Sequence, residues 1–94
     1  MAKDLEWPAI YAYEQSDTWQ GRLKGEYYAL VKRIHDLEKY IKGLRNYNPR
    51  LSGYIAPASN LPKTPVGVLE AQLTAMKTYR DVLKDRASRE SIDL

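Results

Sequence analysis

Residues 17–46, DTWQGRLKGEYYALVKRIHDLEKYIKGLRN, decide the fold. Their apolar side chains Leu23, Tyr27, Leu30, Ile34, Leu37, Ile41 and Leu44 follow one another at alternating steps of four and three, the spacing of one buried helical seam. No Pro falls inside the stretch, and Asp17 with Gln20 three residues on has the form of a capping box. One long helix over about 17–46 is therefore predicted, roughly 45 Å in length at about 1.5 Å per residue. Ordering a residue costs about 1–2 kcal/mol, and each buried seam side chain returns about 1.5–3. One seam cannot hold such a helix, so it must have partners.

Lys24, Tyr28, Val31 and His35, with Tyr40 nearby, form a second stripe offset by one residue from the first, which predicts a second contact. Lys32, Arg33, Asp36, Lys39 and Lys42 fill the remaining side and read as an ordinary solvated face. Upstream, residues 5–15 predict a short helix that starts near Pro8, since Pro suits a first turn and the acids Asp4 and Glu6 suit a helix N-terminus. It is too short to stand free, so Trp7, Ile10, Tyr11 and Tyr13 must dock on something.

Downstream, residues 47–64 hold Pro49, Pro57 and Pro62 among Asn and Ser turn signals, so regular helix is excluded there. A loop this long is usually functional or disordered; Leu51, Tyr54, Ile55 and Leu61 argue for order, and a loop that merely packs over the helix ends is as good a reading as a functional one. Thr64 followed by Pro65 predicts a cap and first turn for a second long helix over about 65–87. Val66, Leu69, Leu73, Met76, Arg80 and Leu83 make its seam at heptad spacing, and Val68, Ala75, Tyr79 and Val82 lie beside it. Residues 88–94 form a polar tail expected to fray. The predicted fold is thus all-α and a single domain: a short N-terminal helix and an antiparallel hairpin of two long helices. The stripes that the hairpin leaves uncovered predict a homo-oligomer.

Composition narrows the chemistry. The 94 residues include no Cys, one His, eight Tyr, two Trp and no Phe, with a net charge of +3. Disulfides and thiolate metal sites are excluded, and one His makes a zinc site unlike this chain. The opening MAKDLEWP lacks the apolar run of a secretory signal, and no segment has the length and hydrophobicity of a membrane span, so a soluble protein is expected. No nucleotide-binding glycine motif, H-E-x-x-H or nucleophile–base pairing occurs, so an enzyme is not expected and no cofactor is called for. His35 alone on a helical stripe reads as a packing or interface residue.

Binding chemistry has better material. Tyr11 and Tyr13, followed by Arg22 and Lys24, combine aromatic faces with cations, the two components that hold a nucleotide base and its phosphate. Tyr28, on the same stripe as Lys24, belongs to this candidate site. Lys63, Thr64 and Gly67 place a cation, a hydroxyl and a close-approach glycine at the start of the second long helix, where anions are favoured and where an ordinary cap is the plainer reading.

LEWPAIYAYEQSDTWQGRL (5–23), YYALVKRIHDLEKYIKGLRN (27–46) and LEAQLTAMKTYRDVLKDR (69–86) together resemble the phage anti-CBASS sponge proteins, the W-P-x-I-x-A-Y-E run most of all. The resemblance implies a homohexamer that sequesters cyclic oligonucleotide signals in the cytoplasm of an infected bacterial cell without cleaving them. It implies pockets for cyclic dinucleotides such as cyclic GMP-AMP between protomers, with a tyrosine on a base, matched here by Tyr11, and a lysine near the phosphates, matched by Lys24. A separate site for cyclic trinucleotides is implied at a junction of several protomers. The contrasting expectation is a helical protein–protein interaction or structural module without a small-molecule ligand. Interleaved Asp36, Glu38, Asp81 and Asp85 interrupt any continuous basic track, so polymeric nucleic acid is not expected.

Overall fold

The computed structural model describes residues 5–45 and 63–94, and their regular structure is entirely helical: α1 (Trp7–Glu14), α2 (Trp19–Arg45) and α3 (Val66–Arg89). Over the described residues the all-α class predicted from periodicity holds. The expected loop 47–64 lies outside the described residues, apart from Lys63 and Thr64. Among the described residues no helix is long and apolar enough to cross a membrane.

α1 begins one residue before Pro8, with Glu6 as an extended N-cap residue (φ −74°, ψ 155°) and the proline in the first turn, where its missing N–H costs nothing. It closes through the Gln15 N–H donating to the Tyr11 carbonyl and the Ser16 N–H donating to the Tyr13 carbonyl, both at 3.0 Å. The cap of α2 differs from the one predicted. Thr18, not Asp17, accepts the Gly21 N–H through its hydroxyl (3.1 Å) and the Arg22 N–H through its carbonyl (3.1 Å). With Thr18 at the cap, Gly21 rather than Gln20 takes the third helical position, so the Asp17–Gln20 box cannot close.

Two glycines explain why α1 lies where it does. A methyl group at Gly25 would stand 2.6 Å from the Glu14 backbone nitrogen and 2.9 Å from the Tyr13 carbonyl carbon, and one at Gly21 would run into the Ser16 side chain. They are one turn apart on the same face of α2, so the end of α1 and the turn after it rest directly on helix backbone. Ile10 of α1, Leu23, Tyr27, Tyr28, Leu30 and Ile34 of α2, and Leu83 and Ala87 of α3 then share one buried cluster, in which Ile10 and Leu83 have no exposed surface. Five of the seven predicted α2 seam residues are buried, and Leu37 and Leu44 are half-buried.

α3 also departs from prediction at both ends. Its N-cap is Pro65 (φ −59°, ψ 145°), with no side-chain cap, because the proline holds the chain extended one residue past Thr64. At the other end the helix continues to Arg89, and the tail folds back instead of fraying. The Ile92 N–H donates to the Ala87 carbonyl (2.8 Å) and the Ser91 N–H to the Ser88 carbonyl (3.2 Å), with Ser91 left-handed at φ 56°. This is a Schellman cap, and it turns Ile92 and Leu94 onto the core cluster. Farther along, Arg45 pairs with Glu70, and the Lys77 ammonium lies 3.7 Å from a Glu38 carboxylate oxygen.

Candidate functional site

α1 delivers its aromatic residues to two places. Tyr13 faces inward: its ring lies 5.8 Å from that of Tyr28, which in turn meets Tyr27 edge-on at 5.6 Å. Tyr28 is only 3% exposed, so the sequence-predicted ligand contact at this position lies beneath the surface of the chain. Burial, followed by the charges of Tyr13, Asp93 and Tyr27, raises its hydroxyl above the ordinary tyrosine range.

Tyr11 faces outward and is 51% exposed, one of its faces stacked on Trp7 with centroids 5.6 Å apart and 27° between the rings. Residues four apart on a helix lie one above the other, which is how an eight-residue element builds a two-ring platform. Trp7 is in turn flanked by two cations of α2. The Lys32 ammonium lies 5.9 Å from the indole centroid and the Arg33 guanidinium carbon 5.6 Å from it.

The cations named from sequence sit elsewhere. The Lys24 ammonium lies over the Tyr13 ring at 5.9 Å. The Arg22 guanidinium donates to the Ser16 carbonyl at 2.9 Å, bracing the α1–α2 turn. Lys63, Thr64 and Gly67 lie together at the start of α3, all exposed, and among the described residues nothing stands within 4 Å of where a Gly67 Cβ would be. They are remote in sequence and in element from the α1 platform, since α3 contributes to the shared core through Leu83 and Ala87 at its other end.

By sequence Lys32 and Arg33 belong to a plain solvated face. α1 changes that by bringing Trp7 to them. The signal available beforehand was the Trp7–Tyr11 spacing together with the need for α1 to dock; the missing information was which turn of α2 it would meet. Chemically, the platform offers one open aromatic face beside two positive charges, an arrangement for a flat anionic ligand. Among the described residues there is no cluster of His, Cys, Asp and Glu able to hold a metal ion.

A protein-family model described as Sequestin matches residues 17–89, which takes in α2 and α3 whole and leaves α1 outside the matched stretch. Comparison with curated proteins and with solved structures gave no match. The family's name denotes sequestration, a binding role, and agrees with the likeness to phage cyclic-oligonucleotide sponges, of which the stretches 27–46 and 69–86 fall inside the match and the W-P-x-I-x-A-Y-E run outside it. With most of its length matched, this chain belongs to the Sequestin family.

Proposed function

We propose that this protein sequesters cyclic oligonucleotide second messengers of a bacterial antiphage system, CBASS, holding them away from their effector without cleaving them. The observation that carries this reading is the half-exposed Tyr11 ring, backed by Trp7 and bordered by cations of α2. Stacking contributes about 1–3 kcal/mol per base, and phosphate neutralisation adds to it, so two bases and two phosphates held together suffice for tight binding without chemistry. Cyclic dinucleotides fit the α1 platform, and Tyr11 and Lys24 are assigned to base and phosphate. Tyr28 supports the site from below through Tyr13, and Arg22 fixes the turn that carries α1. The start of α3, with Lys63, Thr64 and Gly67, is assigned to a second ligand class, cyclic trinucleotides.

The assembly proposed is an antiparallel α2–α3 hairpin in a homohexamer. The pairs Arg45–Glu70 and Glu38–Lys77 support opposed chain directions, because a step forward along one helix matches a step back along the other. Val68, Tyr79 and Val82, between 44% and 55% exposed, and Ala75 beside them lie on one face of α3 and supply apolar surface for a second copy. That same face also favours the second reading, a protein–protein interaction module, whose partner would be a different protein and which would show no small-molecule affinity.

Native mass determination of the purified protein with and without 3′,3′-cyclic GMP-AMP, followed by recovery of the ligand on heating, tests these statements together. A hexamer that gains ligand mass and returns it intact is expected. Recovery of linear product rejects sequestration, and a monomer or dimer with no ligand gain favours the interaction module. Tyr11→Ala is expected to abolish ligand gain and leave the oligomer mass unchanged; unchanged affinity by calorimetry removes Tyr11 from the site.

A further inference from the structure

We propose that Lys32 and Arg33, with Trp7 between them and Tyr11, form the principal phosphate-binding edge of the α1 platform. The inference rests on the cyclic-nucleotide reading above and changes where the ligand's charge is held. A base stacked on the open face of Tyr11 needs cations within the reach of a nucleotide from base to phosphate. Lys24 lies over Tyr13, the inward-facing ring, and Arg22 donates to the Ser16 carbonyl, so the contacts of both lead away from the Tyr11–Trp7 stack. Lys32 and Arg33 both touch the ring on which Tyr11 is stacked. Neither lies farther from the Tyr11 ring than the two steps of 5.6 Å and 5.9 Å laid end to end. Both have long side chains that swing by several ångströms at little cost.

Their local electrostatics fit the same role. Among the described residues the ion pairs are Arg45–Glu70, Lys77–Glu38, Arg80–Asp81 and Arg89–Asp85, so neither Lys32 nor Arg33 has a carboxylate partner there. A cation held against the indole by its apolar stem and the ring quadrupole keeps its charge available to a ligand, and the ring limits its excursions before binding. Arginine adds a planar fork that takes two oxygens of one phosphate.

The test is calorimetric titration of 3′,3′-cyclic GMP-AMP into the wild type, K32Q/R33Q, K32R/R33K and Tyr11→Ala at several salt concentrations, with thermal unfolding of each. K32Q/R33Q is expected to weaken binding at least tenfold at low salt and to make log K fall less steeply with log salt, since added ions screen the contacts between these cations and phosphate. K32R/R33K keeps both charges and is expected to keep the salt dependence of the wild type and to bind more tightly than K32Q/R33Q. A K32Q/R33Q protein that binds as the wild type does overturns the inference and leaves the cyclic-nucleotide reading standing. Weakening with an unchanged salt slope overturns it too, because loss of a mere support for Trp7 would lower affinity equally at every salt concentration. A wild type that does not bind cyclic GMP-AMP overturns both.

Discussion

The two ends of this helical assembly are built differently. At one end α1, the first half of α2 and the last turns of α3 meet around Ile10, Leu23, Tyr27, Leu83 and Ala87, and the folded-back tail adds Ile92 and Leu94. At the other, α2 and the start of α3 face each other with Ile41 buried outside that cluster, and charged side chains at the surface take over the contact. Three elements exclude water from a seam where two leave its edges wet. The candidate site sits on the end that is braced, as it must if Tyr11 and Trp7 are to be held in place before a ligand arrives.

Large-to-small substitutions give the largest test of this contrast. Leu83→Ala removes a side chain with no exposed surface at the meeting point of α2 and α3, and is expected to cost about 3–5 kcal/mol in chemical denaturation. Ile41→Ala, at the open end, is expected to cost about 2 kcal/mol or less, since the neighbouring chains can relax into the space. Equal losses at the two sites would mean that both ends are equally packed.

One substitution with opposite signs sharpens the comparison further. Gly25→Ala sets a methyl group 2.6 Å from the Glu14 backbone nitrogen, so α1 has to move away, and a net loss of about 1–3 kcal/mol is expected despite the gain in helix propensity. Gly43→Ala meets nothing within 4 Å among the described residues and is expected to stabilise by about 0.5–1 kcal/mol. Thermal unfolding of the two variants checks the signs, and a stabilising Gly25→Ala would show that α1 is not seated on α2 as described. Cyclic-nucleotide titration of Gly25→Ala adds a functional arm, for a displaced α1 takes Tyr11 with it.

The same two glycines mark what was legible in the sequence and what was not. The α2 seam is written in alternating steps of four and three, and Leu23, Tyr27, Leu30, Ile34 and Ile41 are buried as that spacing requires. Seams are local and repeat, so they survive without knowledge of the partner. Docking of α1 is neither local nor periodic: it depends on Gly21 and Gly25 opening a path on α2, and on which turn then receives Trp7. Tyr28, which shares a stripe with Lys24, is buried in the single chain with the Tyr13 ring 5.8 Å from its own, a placement that the stripe alone does not announce. The tail misled for a related reason. Its composition is polar, yet Ser91 adopts a left-handed turn that composition does not announce, and two apolar residues reach the core through it.

Burial of Tyr28 gives the braced end a response to alkali. Its hydroxyl ionises at higher pH in the folded chain than in the unfolded one. Below the ordinary tyrosine value of about 10 both states keep the proton and this group contributes no pH dependence; above it the unfolded chain ionises first and stability falls. Tyr28→Phe is expected to lessen the loss of stability above about pH 10 while leaving the midpoint at pH 7 within a few degrees. An unchanged alkaline slope would assign the effect to other groups.

The smallest effect belongs to the open end. Arg45 and Glu70 form an ion pair between α2 and α3 with both side chains about half exposed, at 55% and 45%. Water and salt screen such a pair, and holding two long side chains in one geometry costs entropy, so Glu70→Gln is expected to lower stability by no more than about 0.5 kcal/mol. The difference between variant and wild type should shrink as ionic strength rises from 0.05 to 0.5 M, conditions under which the screening length falls from about 14 to about 4 Å. A loss above about 1.5 kcal/mol would require the pair to be shielded from solvent. In the proposed hexamer that shielding has a natural source, a second copy laid against the open end, so the same measurement repeated across protein concentration separates a bare two-helix contact from one completed by assembly.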